Sequence, residues 1–209
     1  MRQFRDDRLL IATHNPGKLE EIRHLIEPFG VRLESAAAMG LSIPEETGTT
    51  FVENATLKAR HAAATSGIPA LADDSGLEVA ALGDAPGVYT ADWAETPSGR
   101  DFGMAMRRVH DALEATGAEE PWRARFCCTL VLSWPDGHDE VFEGCARGRI
   151  VWPARGRQGH GYDPIFLPDG YEVTYGEMDR WEKNRISHRA DAFSKLLMGC
   201  FGGDGRGLR

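Results

Sequence analysis

Twenty arginines and only four lysines carry the positive charge of this chain, and three of those lysines sit inside dense polar motifs. Lys18 closes Thr13-His14-Asn15-Pro16-Gly17-Lys18, Lys58 follows Glu53-Asn54-Ala55-Thr56-Leu57, and Lys183 opens a stretch ending in Ser187-His188-Arg189. Lys195 lies in an ordinary amphipathic stretch. A compact ammonium on a flexible stem acts as a point charge suited to phosphate oxygens. Compositional bias would explain the scarcity of lysine but not its placement.

Acids and glycines stand between these lysines. Asp73-Asp74-Ser75-Gly76 follows the apolar run Ala70-Leu71-Ala72 and reads as the carboxyl end of a strand, where α/β enzymes place ligands. Neighbouring strand side chains point to opposite faces, so only one of the two aspartates need face a site. Carboxylates suit Mg²⁺, which also takes the phosphate oxygens of a substrate; the same four residues equally suit an Asx turn before Gly76. Glu45-Glu46 offers one more carboxylate to such a metal, or two solvated loop acids. The Thr13–Lys18 segment leads from an apolar run into a helix and so aims backbone N–H groups and the positive end of a helix dipole at an anion. It serves as well as a plain strand-to-helix turn capped by Asn15, and it lacks the spacing of a Walker A loop. Gly159-His160-Gly161-Tyr162-Asp163-Pro164 joins glycines that admit a ligand close to the backbone with two rings, His160 and Tyr162, able to stack on a planar base. His188 and Arg189 fall in the first turn of the last helix, as donors to a carbonyl or phosphate oxygen or as a solvated surface pair. Taken together, these groups describe a site for a nucleoside triphosphate with a metal ion.

The elements that must position them are readable in outline. Leu9 to Ala12 is a short apolar strand feeding a helix with Leu19, Ile22, Ile26 and Phe29 on one face, stopped by Gly30. Residues 31–34 alternate as a second strand, and residues 36–48 form a loop holding Gly40, Pro44 and Gly48. Thr50 and Glu53 make a capping box for an alanine-rich helix that ends at Gly67. Residues 83–99 read as loop, and residues 101–116 as a helix closed by Gly117. Residues 125–134 and 140–151 are strands joined by the turn Pro135-Asp136-Gly137. A short strand spans 164–167, and Ser187 caps a last helix that buries Ala190, Phe193, Leu197 and Cys200. Residues 1–8 and 202–209 are expected to be flexible. Mixed helices and strands give an α/β class with a mixed sheet.

With 209 residues, 42% of them hydrophobic and 27% charged, the chain suits a single domain over 1–209. A net charge of -8 argues against nucleic acid or an anionic membrane as partner. Cys127, Cys128, Cys145 and Cys200 form no C-x-x-C pair, which speaks against zinc and disulfides and for a reducing, cytoplasmic setting. The first residues hold no apolar stretch of a secretion signal, and no apolar run reaches membrane-spanning length.

The ordered set Thr13-His-Asn-Pro-Gly-Lys18, Glu45, Thr50-Phe-Val-Glu-Asn-Ala55, Ala72-Asp-Asp-Ser-Gly76, Gly161-Tyr-Asp-Pro164 and Ser187-His-Arg189 resembles the inosine triphosphate pyrophosphatases, also called dITP/XTP pyrophosphatases. The resemblance runs from about Leu9 to about Leu197. It implies an elongated α/β fold with a mixed sheet, flanking helices and two lobes around a central cleft. It also implies a Mg²⁺-dependent homodimer that cleaves ITP, dITP and XTP to the monophosphate and pyrophosphate. Carried over by motif, Thr13, His14, Asn15, Pro16, Gly17, Lys18 and Lys58 would bind the triphosphate. Asp74 would be general base and metal ligand, Glu45 the other metal ligand, and Ser75 a substrate contact. His160, Gly161, Tyr162, Asp163, Lys183, His188 and Arg189 would hold the nucleoside end. The family usually has Phe where this chain has His160, a ring that stacks with less apolar area. Two further readings are a pyrophosphatase for modified pyrimidine nucleotides, like the Maf-like group, and a non-catalytic nucleotide sensor. His188-Arg189 argues against the first, and the intact Glu45 and Asp74 argue against the second.

Overall fold

The computed structural model describes residues 1–13 and 16–202, apart from the side chains of Pro16 and Glu21 and the surroundings of Gly17. In chain order the described elements are β1 (Arg8–Ile11), α1 (Pro16–Ile26), β2 (Arg32–Ser35), α2 (Phe51–Ser66), β3 (Ala70–Val79), β4 (Glu95–Thr96), β5 (Gly99–Arg100), α3 (Phe102–Thr116), β6 (Trp122–Ser133), β7 (Asp139–Ile150), β8 (Phe166–Pro168), α4 (Arg180–Ile186) and α5 (His188–Cys200). Among the described residues, six strands make one mixed sheet in the order β2-β1-β3-β6-β7-β8, and β4 and β5 make a separate pair. β1 runs parallel to both β2 and β3, with Leu9 opposite Leu33 and Leu10 opposite Ala70. β8 is antiparallel to β7. β6 and β7 are neighbours joined by a tight turn in which the Trp134 N–H donates to the His138 carbonyl at 2.9 Å. A connection this short requires antiparallel strands.

Local chemistry accounts for the helix ends. The Thr50 hydroxyl accepts from the Glu53 N–H and the Glu53 carboxylate accepts from the Thr50 N–H, which closes the capping box of α2. Asp101 caps α3 by accepting from the Met104 N–H at 2.8 Å. A 3-10 turn over Glu27–Phe29 extends α1, and Gly30 stops it in the left-handed region at φ 70°.

The chain forms two compact units. The first holds the described residues of Met1–Asp74, Cys128–Gly144 and Ala190–Arg209, and the second holds Ser75–Cys127 and Cys145–Arg189. β3, β6 and β7 contribute residues to both. In the first unit, Leu9, Ile11 and Leu71 pack with Ile22 and Ile26 of α1 and with Phe193 and Leu196 of α5. Leu10, Ala70 and Ala72 pack instead with the alanines of α2, Ala55, Ala59, Ala62 and Ala63. Strand alternation thus sends odd residues of β3 toward α1 and α5 and even ones toward α2. In the second unit, Leu77 and Val79 join Ala105, Val109 and Leu113 of α3 and the rings of Phe126, Tyr162, Phe166 and Tyr175.

Several features differ from the sequence reading. β3 does not end at Asp73 but runs ten residues to Val79, so the Asp-Asp-Ser-Gly run lies within a strand. Among the described residues β1 pairs β3 only at Ala70 and Leu71, and pairing with its other neighbour β6 outweighs the weak strand preference of Asp, Ser and Gly. A helix, α4, covers Lys183, and Ser187 ends it in extended geometry immediately before α5. Residues 2–8 make these contacts: the Phe4 N–H donates to the Cys200 carbonyl at 2.7 Å, the Phe4 ring stacks on Phe201 at 5.0 Å, and Arg8 begins β1. At the other end, residues 203–209 lie outside the described residues.

Candidate active site

The alternation of β3 separates its two aspartates. Asp73 shares the side of Leu71, where the Lys18 ammonium of α1 donates to its Oδ2 at 2.7 Å. Asp74 shares the side of Ala72, facing α2. There Lys58 Nζ donates to Asp74 Oδ1 at 3.1 Å and to Glu46 Oε1 at 2.9 Å. Asn54, one helical turn before Lys58 and hence on the same face, directs its Nδ2 at Asp74 Oδ2, 3.4 Å away. Asp73, Asp74 and Lys58 are all buried.

Burial and charge compete in this cluster. Burial disfavours the charged Lys58, but Asp74, Asp73 and Glu46 outweigh it and hold its pKa above the ordinary lysine value. For Asp74 the balance is reversed: burial pushes its pKa up, and the Lys58 ammonium beside it only partly offsets this. The lysine is the better stabilised partner because it touches two carboxylates, whereas Asp74 shares its ammonium with Glu46.

Hard carboxylate oxygens around a buried acid are the donor chemistry of Mg²⁺, which binds through one or two carboxylates and fills its remaining positions with water and phosphate oxygens. Among the described residues no three His, Cys, Asp or Glu side chains form a group that could hold a metal ion, so the fit to a cation rests on the donor chemistry of Asp74 and the loop acids. The residues therefore fit a divalent cation. Both loop acids are exposed, and Glu46 is the one that reaches Lys58.

A second group surrounds Asp163, which is buried in a 3-10 turn. Its Oδ2 accepts a short bond from Lys183 Nζ and a 2.6 Å bond from the His160 N–H. Gly159, at φ 76°, leaves the room this needs, since a Cβ there would lie 2.0 Å from the same oxygen. Tyr162 is part of the core. Its hydroxyl donates to the Thr90 carbonyl at 2.9 Å, its ring meets Phe102 edge-on, and burial pushes its pKa up. Of the two rings read as base platforms, His160 is the exposed one. The His188 ring is buried and stacks on Phe126 with centroids 5.1 Å apart and planes 17° apart. Arg189 is half-buried in the first turn of α5.

The remaining candidates are placed as follows. The Thr13 N–H donates to the Ile11 carbonyl at 2.9 Å. Ser75 is half-buried within β3. His14 and Asn15 lie outside the described residues, as does the side chain of Pro16, and the backbone of Pro16 and Gly17 opens α1. Sequence reading did not assign Asn54 to the Asp74 cluster, and of Glu45-Glu46 it did not choose Glu46 for it. The four-residue spacing of Asn54 from Lys58 was a usable signal for the first. No periodicity in a loop distinguishes Glu46 from Glu45.

A Ham1 family profile matches residues 9–198. This chain belongs to the Ham1 family. Within it, a Ruegeria pomeroyi protein named dITP/XTP pyrophosphatase is 65% identical over 202 residues, covering 97% of this chain and 99% of the relative. An Agrobacterium fabrum protein of the same name is 54% identical, covering 96% and 99%. The solved structure of a HAM1 protein from Coxiella burnetii matches with a TM-score of 0.87 at 38% identity, covering 91% of this chain and 96% of that one. The mixed six-stranded α/β arrangement is thus that of the Ham1 family.

Proposed function

We propose that this protein is a nucleoside-triphosphate pyrophosphatase that hydrolyses the altered purine nucleotides ITP, dITP and XTP to the monophosphate and pyrophosphate, clearing them from the nucleotide pool. The observation that carries this reading is the buried Asp74 held between Lys58 and Asn54, in a chain whose relatives are named for that reaction.

In this reading Asp74 takes a proton from water as the water oxygen bonds to the α-phosphorus. The bond from that phosphorus to the α–β bridging oxygen breaks, and pyrophosphate leaves with the bridging oxygen. Lys18, Lys58 and the Thr13–Gly17 segment hold the triphosphate, and Ser75 contacts the substrate. Glu45 and Asp74 would hold Mg²⁺, which supplies charge stabilisation at the phosphate oxygens. His160, Gly161, Tyr162 and the Asp163–Lys183 pair support the nucleoside end. His188 and Arg189 donate to the 6-oxo oxygen of the purine, and a 6-amino group would leave these donors unsatisfied. A site built on such a bond discriminates by about 10⁴–10⁵. A homodimer and the cytoplasm belong to the same reading through the motif resemblance. Among the described residues no helix is long and apolar enough to cross a membrane, and the net charge of -8 argues against nucleic acid as partner.

Pyrophosphate release from ITP, XTP, GTP, ATP and dTTP, with and without Mg²⁺, tests the proposal. Mg²⁺-dependent release from ITP and XTP is expected. Equal turnover of ATP and ITP would refute donor-based selection, release from dTTP alone would move the enzyme to pyrimidine chemistry, and binding without release would make it a sensor.

A further inference from the structure

We propose that Asn54 is a positioning residue for this reaction: one side-chain amide fixes the Asp74 carboxylate and the end of the loop that carries Glu45 and Glu46. The inference rests on the pyrophosphatase reading for its kinetic part and on geometry alone for its structural part.

An amide has two distinct ends, an oxygen that accepts and a nitrogen that donates. Asn54 uses both. Its Oδ1 accepts from the Gly48 N–H at 2.8 Å and its Nδ2 faces Asp74 Oδ2 at 3.4 Å. The side chain is buried, with the residue 3% exposed. Because Lys58 donates to the other oxygen, Asp74 Oδ1, each oxygen of this carboxylate has its own donor, and both donors project from the same face of α2. Two donors one helical turn apart set the plane of the carboxylate as well as its position.

The loop end is fixed with equal care. Gly48 lies two residues after Glu46, and a Cβ on it would come within 2.6 Å of Asn54 Oδ1 and 2.7 Å of Glu53 Cβ. Three successive N–H groups are received by the first turn of α2: Gly48 by Asn54, then Thr49 and Thr50 by the Glu53 carboxylate. The helix cap and the end of the acidic loop are therefore one hydrogen-bonded assembly, and Asn54 is the member that also reaches β3. Neither Asp nor Ala reproduces this. Asp keeps the acceptor for Gly48 but loses the donor to Asp74, and Ala loses both.

The two ends can be tested separately. Kinetics with ITP and Mg²⁺ and amide hydrogen exchange of Gly48 would be measured in Asn54→Ala, Asn54→Asp and Gly48→Ala. Removing a group that orients a metal ligand typically costs about 10–100-fold in activity or metal affinity. Asn54→Ala should lower kcat and raise the half-saturating Mg²⁺ by about that factor, with KM for ITP held and Gly48 exchange accelerated. The isosteric Asn54→Asp should lower kcat similarly while Gly48 exchange stays slow. Gly48→Ala, with Asn54 intact, should lower kcat by crowding the amide. Unchanged kcat and Mg²⁺ requirement in both Asn54 variants would overturn the kinetic role, as would a rise in KM at constant kcat, which marks direct substrate binding. Slow Gly48 exchange in Asn54→Ala would overturn the loop clamp. If the unaltered protein releases no pyrophosphate, the functional reading fails, and the Gly48 exchange rates still decide whether Asn54 holds the loop.

Discussion

Asp74 and Asp163 are both buried aspartates that grip a lysine, yet they are built for different work. Asp74 lies on β3 and faces α2, where Lys58 touches both it and Glu46. Burial leaves it with a raised pKa despite that partner. Asp163 lies in a 3-10 turn and directs one oxygen at Lys183 and at the His160 N–H, so it ties a loop and a helix together. A carboxylate that fastens the chain satisfies its charge locally. A carboxylate meant for a proton or a cation is buried on rigid elements and shares its ammonium with a second carboxylate.

The largest expected effect breaks that contrast directly. General-base assistance is worth about 10²–10⁴-fold, so Asp74→Asn should lose turnover by that order while nucleotide affinity, measured by calorimetry, is retained. Asp163→Asn should keep most of kcat, raise KM, and lose about 1–3 kcal/mol of stability in urea unfolding as charged hydrogen bonds weaken. A fall in kcat as deep as that of Asp74→Asn would erase the proposed division of labour.

The lysines sharpen it. Lys58→Met leaves Asp74 and Glu46 without their shared ammonium, and breaking such a buried pair costs about 3 kcal/mol. The cost depends on pH with a definite sign. Burial already raises the folded-state pKa of Asp74, and removing Lys58, whose charge opposes that rise, raises it further. A group of this kind contributes its stability below the unfolded value of about 3.9 and loses it as pH rises through the folded value. The gap between unaltered protein and Lys58→Met should thus be widest near neutral pH and narrow toward about pH 4. Urea unfolding across that range measures it, and a gap independent of pH would show that Asp74 is not the group left uncompensated.

How much of this was legible in the sequence depends on how local each signal is. The Thr50–Glu53 box and the stops at Gly30, Gly67 and Gly117 were read correctly because caps are set within one turn of chain. The continuation of β3 through Asp73-Asp74-Ser75-Gly76 was not, because those residues are strand only through their neighbours in the sheet. α4 has a local signal, Asp179 accepting from the Trp181 and Glu182 N–H groups, but its seven residues are too few to show a period. Tyr162 read as a base platform, and its packing against Phe102 and Thr90, sixty and more residues away in the chain, leaves no mark in the motif.

The smallest effect concerns helix caps, and it tests whether the Asp74 site depends on the start of α2 in a way the second unit does not depend on α3. Thr50→Ala and Asp101→Ala each remove a capping oxygen, and each should cost about 1 kcal/mol. Equal losses of stability should have unequal consequences. Thr50 adjoins the Gly48–Asn54–Asp74 chain of contacts, so its loss should also lower kcat, whereas Asp101→Ala should leave kcat near the unaltered value. The cap of α2 should also weaken in acid. Backbone and side-chain hydrogen bonds from Thr49, with those from Thr50, hold the Glu53 pKa below its ordinary value. Its stabilisation is therefore present above the unfolded carboxylate pKa and is lost as pH falls through the folded one. A Glu53→Ala variant should accordingly melt below the unaltered protein at neutral pH and converge with it in acid, and parallel melting curves at every pH would remove Glu53 from the assembly that holds Asp74.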